Sequence, residues 1–331
     1  MNMGKKRNLL IISLCLTVLA LGLLGAQFLH KSAPLRPIVL QLDWFHNASF
    51  VGYYIAKEKG FFSEEGLSVN FLPGDANVSV ATIVYEGRAQ FGVAAAYHLL
   101  RMRAANQALQ AIACIFQRNP LAFISLAESG IHEPRDFVGQ KIFAPKQQVP
   151  VLKAMLARVG VPDGRYLLVD SQDMEAFLAG DIPIMGAYLN GTIRLLQNAG
   201  HQLNIIFPDD FGAHVYQQCL FTTDRLIAEE PDLVRRFLRA ALAGWHVAIN
   251  QPSEAGNIVL RYTQDRDAAD LNDEIRGARP YINIGETPIG WMQPEIWADM
   301  VEQLVHVGMI DKTFDPSSAY TLRFLRDYYD E

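Results

Sequence analysis

Short apolar runs alternate with stretches of helical period through most of this chain, and the alternation predicts strands and helices in turn. Ile38–Leu42, led in by Pro34 and Pro37, predicts a strand. Phe50–Lys59 predicts a helix with Phe50, Val51, Tyr54 and Ile55 on one face and Gly60 as its stop. Leu67–Leu72 reads as the next strand, Ser79–Tyr85 as a short helix, Phe91–Ala94 as a buried strand, Leu99–Ala105 as a helix and Leu109–Phe116 as a strand. The pattern then repeats. Lys141–Ala144, Leu167–Asp170, Ile182–Tyr188 and Asn204–Phe207 read as strands, and Val149–Val159, Glu175–Ala179 and Thr192–Asn198 as helices between them.

After Cys219 the periodicity is mostly helical. Pro231 opens a helix with Leu233, Val234, Phe237, Leu238, Ala241, Leu242 and Trp245 on one face; another begins at Pro294, and a last one covers about Ala319–Tyr329. Strands alternating with helices imply an α/β fold of mainly parallel sheets covered on both faces. Two such runs and a helical tail imply two lobes. No repeat of solenoid period and no long Gly/Ser or Pro-rich linker is present, so crossing strands are expected to join the lobes.

The first 31 residues differ in kind. Lys5, Lys6 and Arg7 precede an apolar run from Leu9 to Ala26, the layout of an export signal and just long enough for a membrane anchor. Residues 1–31 are therefore expected to be a signal peptide or an uncleaved N-terminal anchor, with the rest of the chain outside the cytoplasm. Of 29 basic residues four lie in this segment, which leaves 25 against 35 acidic ones in the exported part. A net charge of −10 there excludes a basic nucleic-acid surface. The three cysteines form no CxxC pair, and the histidines lack ligand spacing, so no metal site is expected. Cys114 and Cys219 remain in the exported part, and their spacing does not say whether they meet.

Several stretches carry a resemblance. They are LQLDWFHN at Leu40–Asn47, GYYIAKEKGFFSEEGL at Gly52–Leu67, GRAQFGV at Gly87–Val93, Tyr188-Leu189-Asn190, and EPDLVRRFLRA at Glu230–Ala240. Together they resemble two-lobed periplasmic solute-binding proteins of the group that binds pyrimidine precursors of thiamine, related to sulfonate-, taurine- and nitrate-binding proteins. The resemblance spans about residues 36–330. It implies a first lobe of residues 36–117 plus 219–331, a second lobe of 118–218, a ligand cleft between them, and delivery to an ABC permease.

The strand-end rule for open α/β sheets picks the cleft candidates independently. Trp44 and Asn47 follow the first strand, Tyr97 follows Phe91–Ala94, Gln147 and Gln148 follow Lys141–Ala144, and Tyr188 and Asn190 close another strand. Tyr53 is the better cleft candidate of its pair, because Tyr54 shares the apolar helix face. Phe211 and Tyr216 lie at the second crossing. Aromatic faces stack on flat rings, and amides both donate and accept, so a small neutral heteroaromatic ligand suits this set better than a sulfonate. Asn47 has an equal reading as a helix N-cap, and Trp44 one as a core wall.

Two alternatives have other chemistry. The resemblance extends to a fungal enzyme that makes the thiamine pyrimidine from pyridoxal phosphate. Its Lys-x3-His pattern falls on Ala94 and His98 here, and alanine supplies no amine for a Schiff base. No enzyme activity and no cofactor are expected. A tethered sensor or accessory subunit for a separate signalling partner is the other alternative. The expectation is a monomeric, extracytoplasmic binding protein for a pyrimidine-like molecule.

Overall fold

The structure, a computed structural model, describes residues 34–330 apart from positions 76, 171, 172, 253, 265, 284 and 286. Residues 1–31, with the expected signal or anchor, lie outside it. Among the described residues no helix is long and apolar enough to cross a membrane. Pro37–Glu331 form one compact unit.

That unit contains two five-stranded sheets. Strands β1 (Arg36–Gln41), β2 (Leu67–Leu72), β3 (Phe91–Ala94), β4 (Leu109–Phe116) and β10 (Gln217–Thr223) make the first, in the order β2-β1-β3-β10-β4. Strands β5 (Leu121–Leu126), β6 (Lys141–Phe143), β7 (Leu167–Val169), β8 (Ile184–Tyr188) and β9 (Leu203–Ile206) make the second, in the order β7-β6-β8-β5-β9. The helices used below are α1 (Val51–Glu58), α2 (Val80–Tyr85), α3 (Ala96–Ala104), α4 (Val149–Arg158), α5 (Arg194–Asn198), α6 (Pro231–Asn250), α7 (Ala268–Ile282), α8 (Pro294–His306) and α9 (Arg323–Asp330). This is the two-lobed α/β fold the sequence predicts.

Both sheets are mixed rather than uniformly parallel. β1 pairs with β3, and β6 with β7 and β8, in parallel; β10 runs antiparallel to β3 and β4, and β5 antiparallel to β8 and β9. The antiparallel strands are the ones the periodicity does not announce. β4 and β10 are neighbours in one sheet, and their continuations β5 and β9 are neighbours in the other. The two connections between the sheets thus run side by side.

Two interactions tie these connections, and a third braces the second one from within. Cys114 and Cys219 face each other across β4 and β10 and form a disulfide that closes a loop of 105 residues, the whole of the second sheet's chain. Arg118 in the first connection pairs with Asp209 in the second, Nε to Oδ2 at 2.5 Å, and lies 3.7 Å from Asp210. His214 Nδ1 meets the other oxygen of Asp209. Asp209 is only 8% exposed. Burial works against its charge, but the His214 and Arg118 contacts hold its carboxyl below the usual range. Its hydrogen bond to Asp209 raises the His214 imidazole, against its partial burial.

The first lobe's core is built where α6 lays its apolar face, Leu233 through Ile249, on α1 and the first sheet. The contact is close because two glycines meet. A Cβ on Gly244 would lie 2.0 Å from the Gly52 carbonyl oxygen, and one on Gly52 would lie 2.2 Å from the Trp245 ring. Gly52 therefore lets Trp245 lie flat against α1, where its ring meets Tyr53 edge-on at 5.6 Å.

Replacing Cys114 and Cys219 together by alanine should lower stability by about 3–5 kcal/mol, the chain-entropy effect of a loop of roughly 100 residues. Urea denaturation checks this, and an unchanged midpoint would contradict it. His214→Ala should cost stability below about pH 6.5, where the imidazole is charged in both states, and cost nothing once pH exceeds its raised folded value. Its half-exposed position limits the effect to less than about 1 kcal/mol. Melting temperatures from pH 5 to 9 test that sign.

Candidate ligand-binding site

Strand polarity sets the location. The carboxyl ends of β1 and β3 and the start of β10 share one edge of the first sheet, because Ala94 pairs with Cys219. In the second sheet the end of β8 shares an edge with the start of β5, since Tyr188 pairs with Leu121. Segments leaving these edges supply the side chains.

The loop after β1 is tightly braced. Gln41 Nε2 donates to the carbonyls of Leu42, Leu72 and Pro73 at 3.0–3.1 Å, and Gly74 N donates to the Trp44 carbonyl at 3.0 Å. A Cβ on Gly74 would lie 2.5 Å from the Leu42 carbonyl oxygen, so only glycine permits this approach. The loop holds Asp43 half-buried and Trp44 41% exposed, with Phe45, 57% exposed, edge-on to the Trp44 ring at 5.6 Å. Loss of solvation pushes the Asp43 carboxyl up to about 7, against a hydrogen bond from its own backbone.

The Asp43 charge bears on two tyrosines, one on α1 and one at the end of β8. Tyr53, on α1, is fully buried, and its hydroxyl has no hydrogen-bond partner. Burial raises its ionisation first, the Trp245 indole N–H opposes this, and the Asp43 charge adds to it. Tyr188, at the end of β8, is raised by burial and then by Asp43. Its hydroxyl accepts from Gln217 Nε2 at 3.2 Å, with the Gln148 amide beside it. Gln148 is 4% exposed at the start of α4, and its Oε1 has no partner. A Cβ on Gly186 would lie 2.1 Å from that oxygen, so the glycine leaves room for the amide. Gln217 Oε1 is also buried and unpartnered. Unpartnered buried polar atoms are expensive, and Gln148 Oε1 and Gln217 Oε1 belong to side chains that both reach the Tyr188 hydroxyl.

The candidates therefore separate. Asp43, Tyr53, Gln148, Tyr188 and Gln217 converge, and Trp44 stands at their edge on the Asp43 loop. Asn190 lies in the π-helical turn Leu189–Ile193 directly after β8. The others have different partners. Asn47 caps the following turn, its Oδ1 accepting from Ser49 N and its Nδ2 donating to the Phe45 carbonyl, both at 2.8 Å. Gln147 is exposed. Tyr97 is buried with its hydroxyl donating to Gln303 Oε1 on α8. Tyr216 is buried against Trp297, and its hydroxyl accepts from Gln293 N at 2.9 Å. Phe211 is half-buried in the Pro208–Phe211 turn and packs on the main core.

Two members of the converging set were not singled out by the sequence. Asp43 stands at a strand end, where the rule points, but a neutral aromatic and amide set draws attention away from a carboxylate. Gln217 opens a strand that the apolar pattern does not announce.

Known proteins resemble this chain in sequence and in fold. The chain is 26% identical over 309 residues to a formylaminopyrimidine-binding protein of Halalkalibacterium halodurans, covering 89% of this chain and 92% of that one. It is 23% identical to the riboflavin-binding protein RibY of Chloroflexus aurantiacus, covering 88% and 86%. It is 24% identical to a 4-amino-5-hydroxymethyl-2-methylpyrimidine phosphate synthase of Legionella pneumophila, covering 88% and 92%. The crystal structure of the periplasmic aliphatic sulphonate binding protein SsuA of Escherichia coli superposes with a TM-score of 0.68 at 13% identity, covering 86% of this chain and 91% of that one. The family profile described as NMT1/THI5 like matches residues 47–255, more than half of the sequence, and this chain belongs to that family.

Proposed function

We propose that this chain is the extracytoplasmic substrate-binding protein of an ABC importer and captures a small heteroaromatic molecule, a pyrimidine precursor of thiamine. The lobes are residues 36–117 plus 219–331 and residues 118–218, and the ligand sits where their strand ends face each other. The observation that carries this is the grouping of Asp43, after β1, and Tyr53, on α1, with Gln148, at the start of α4, and Tyr188, at the end of β8.

The chemistry of the set favours such a ligand. Gln148 Oε1 and Gln217 Oε1 are buried acceptors without a hydrogen-bond partner, and the Asp43 carboxylate is a further acceptor beside Tyr188. An exocyclic amine on a ring supplies N–H donors, and a carboxylate accepting them makes a charge-assisted pair. A sulfonate brings three acceptors and a negative charge to the same carboxylate, which disfavours it. Trp44 offers an exposed ring for stacking.

Ligand contacts to both lobes favour the closed form by differential affinity, and the permease takes the ligand from that form. The basic and apolar N-terminal segment and the cross-strand disulfide both fit an oxidising compartment outside the cytoplasm. The protein itself performs no covalent step. Ala94, on β3, supplies no amine where the related synthase pattern has its lysine.

A thermal-shift screen with formylaminopyrimidine, hydroxymethylpyrimidine, riboflavin and an alkanesulfonate tests the reading. An aminopyrimidine at about a hundredfold over its dissociation constant should add about 2.7 kcal/mol of stability. A shift with the sulfonate or riboflavin alone would discard the proposed ligand. Trp44→Ala should weaken aminopyrimidine binding by about 1–3 kcal/mol, and Asp43→Asn by about tenfold or more, both read by calorimetry. Unchanged affinity in both variants would remove them from the site.

A further inference from the structure

The two lobes touch through ion pairs with a common direction. Arg194, the first residue of α5 in the second lobe, reaches Asp270 on α7 in the first. It lies 2.6 Å from the Asp270 carboxylate, donates to the Asp270 carbonyl at 2.9 Å, and lies 3.7 Å from Asp273. Arg158, the last residue of α4 in the second lobe, pairs with Asp299 on α8 in the first. In both cases the second lobe sends the arginine and the first lobe supplies the carboxylate.

Both carboxylates are braced from within their own lobe. Asp270 accepts from Arg266 Nε at 2.9 Å, and Arg266 also holds the buried Glu274 at 2.8 Å. Asp299 accepts from Gln303 Nε2 at 2.6 Å, and Gln303 in turn accepts from the Tyr97 hydroxyl. The acceptors are thus held in place on one side, ready for arginines arriving from the other.

Both arginines also sit on elements that begin at the ligand site. α4 starts directly after Gln148, and α5 follows Tyr188 after the single turn Leu189–Ile193. The two pairs thus tie the elements that follow Gln148 and Tyr188 to the lobe that carries Asp43 and Tyr53.

We propose that Arg194 and Arg158 are ionic clasps that hold the lobes closed before any ligand arrives, so that ionic strength regulates capture. This rests on the two-lobed binding function proposed above, because it sets the population of the form that binds. The pairs are partly exposed and therefore screened by salt. A ligand selects the closed form, and its apparent affinity falls by the factor through which that form is depopulated. Affinity for an uncharged aminopyrimidine should therefore fall as salt rises, although the ligand carries no charge to screen.

The test is small-angle scattering on residues 34–331, which include the compact unit, without ligand. The wild-type protein should be compact in 50 mM sodium chloride and should expand in 1 M. Arg158→Ala/Arg194→Ala should be expanded at both concentrations, with an unchanged far-ultraviolet spectrum as the control for folding. The corresponding double lysine variant should fall between them. Formylaminopyrimidine serves as the probe for affinity, expected to bind the alanine double variant about tenfold more weakly and without salt dependence. A wild-type protein already open at 50 mM, or one whose dimensions ignore salt, overturns the clasps whatever the variants do. Scattering needs no ligand, so the clasps can stand if the probe fails to bind, and that failure would count against the proposed ligand alone.

Discussion

Two side-by-side connections carry the chain between the two sheets. β4 passes to β5 through Gln117–Pro120, and β9 returns to β10 through residues 207–216. The disulfide between Cys114 and Cys219 fixes their spacing on one side, and the Arg118–Asp209–His214 cluster fixes it in the connections themselves. With the spacing fixed, the paired connections are the place where a hinge between the lobes would turn. Hinge closure of this kind concentrates dihedral change in a few residues at element ends. It also determines which strand ends meet, and hence where a ligand can be held by both sheets.

The site follows from that constraint and from local packing. Gln41 and Gly74 hold the loop that carries Asp43 and Trp44, while Gly52 lets Trp245 back the ring of Tyr53. Gly186 makes room for Gln148. Three glycines thus allow approaches that any Cβ would obstruct. The result is a group of acceptors with too few donors around them, at the meeting point of elements from both lobes.

Much of the fold was legible in the sequence, and the reasons are local. Phe91–Ala94, Leu109–Phe116 and Val149–Arg158 announce themselves by apolar runs or helical period, and α6 shows its buried face from Leu233 to Trp245. The strands β5 and β10 did not. β5 follows directly on the first connection, and β10 begins with two glutamines, the second in a left-handed conformation with φ of 55°. α7 was missed because its sequence is largely polar and carries Pro280 in its last turn. Of the candidate side chains, Tyr188, Gln148 and Tyr53 converge as a strand-end rule would have it. Tyr97 and Tyr216 occupy equivalent positions in sequence but turn their hydroxyls to Gln303 and Gln293, a choice that depends on α8 and the segment before it, more than 75 residues away. Whether two cysteines meet depends on strand register, which no spacing reveals.

The central claim is that one ligand is held by both lobes through the Asp43–Tyr188 group. A crystal structure of the protein grown with formylaminopyrimidine tests it most directly. The ring should lie stacked against Trp44, with its amine within hydrogen-bond distance of the Asp43 carboxylate and with contacts to Gln148 or Tyr188 from the second lobe. A ring bound within one lobe, or between the lobes but away from Asp43, would contradict it.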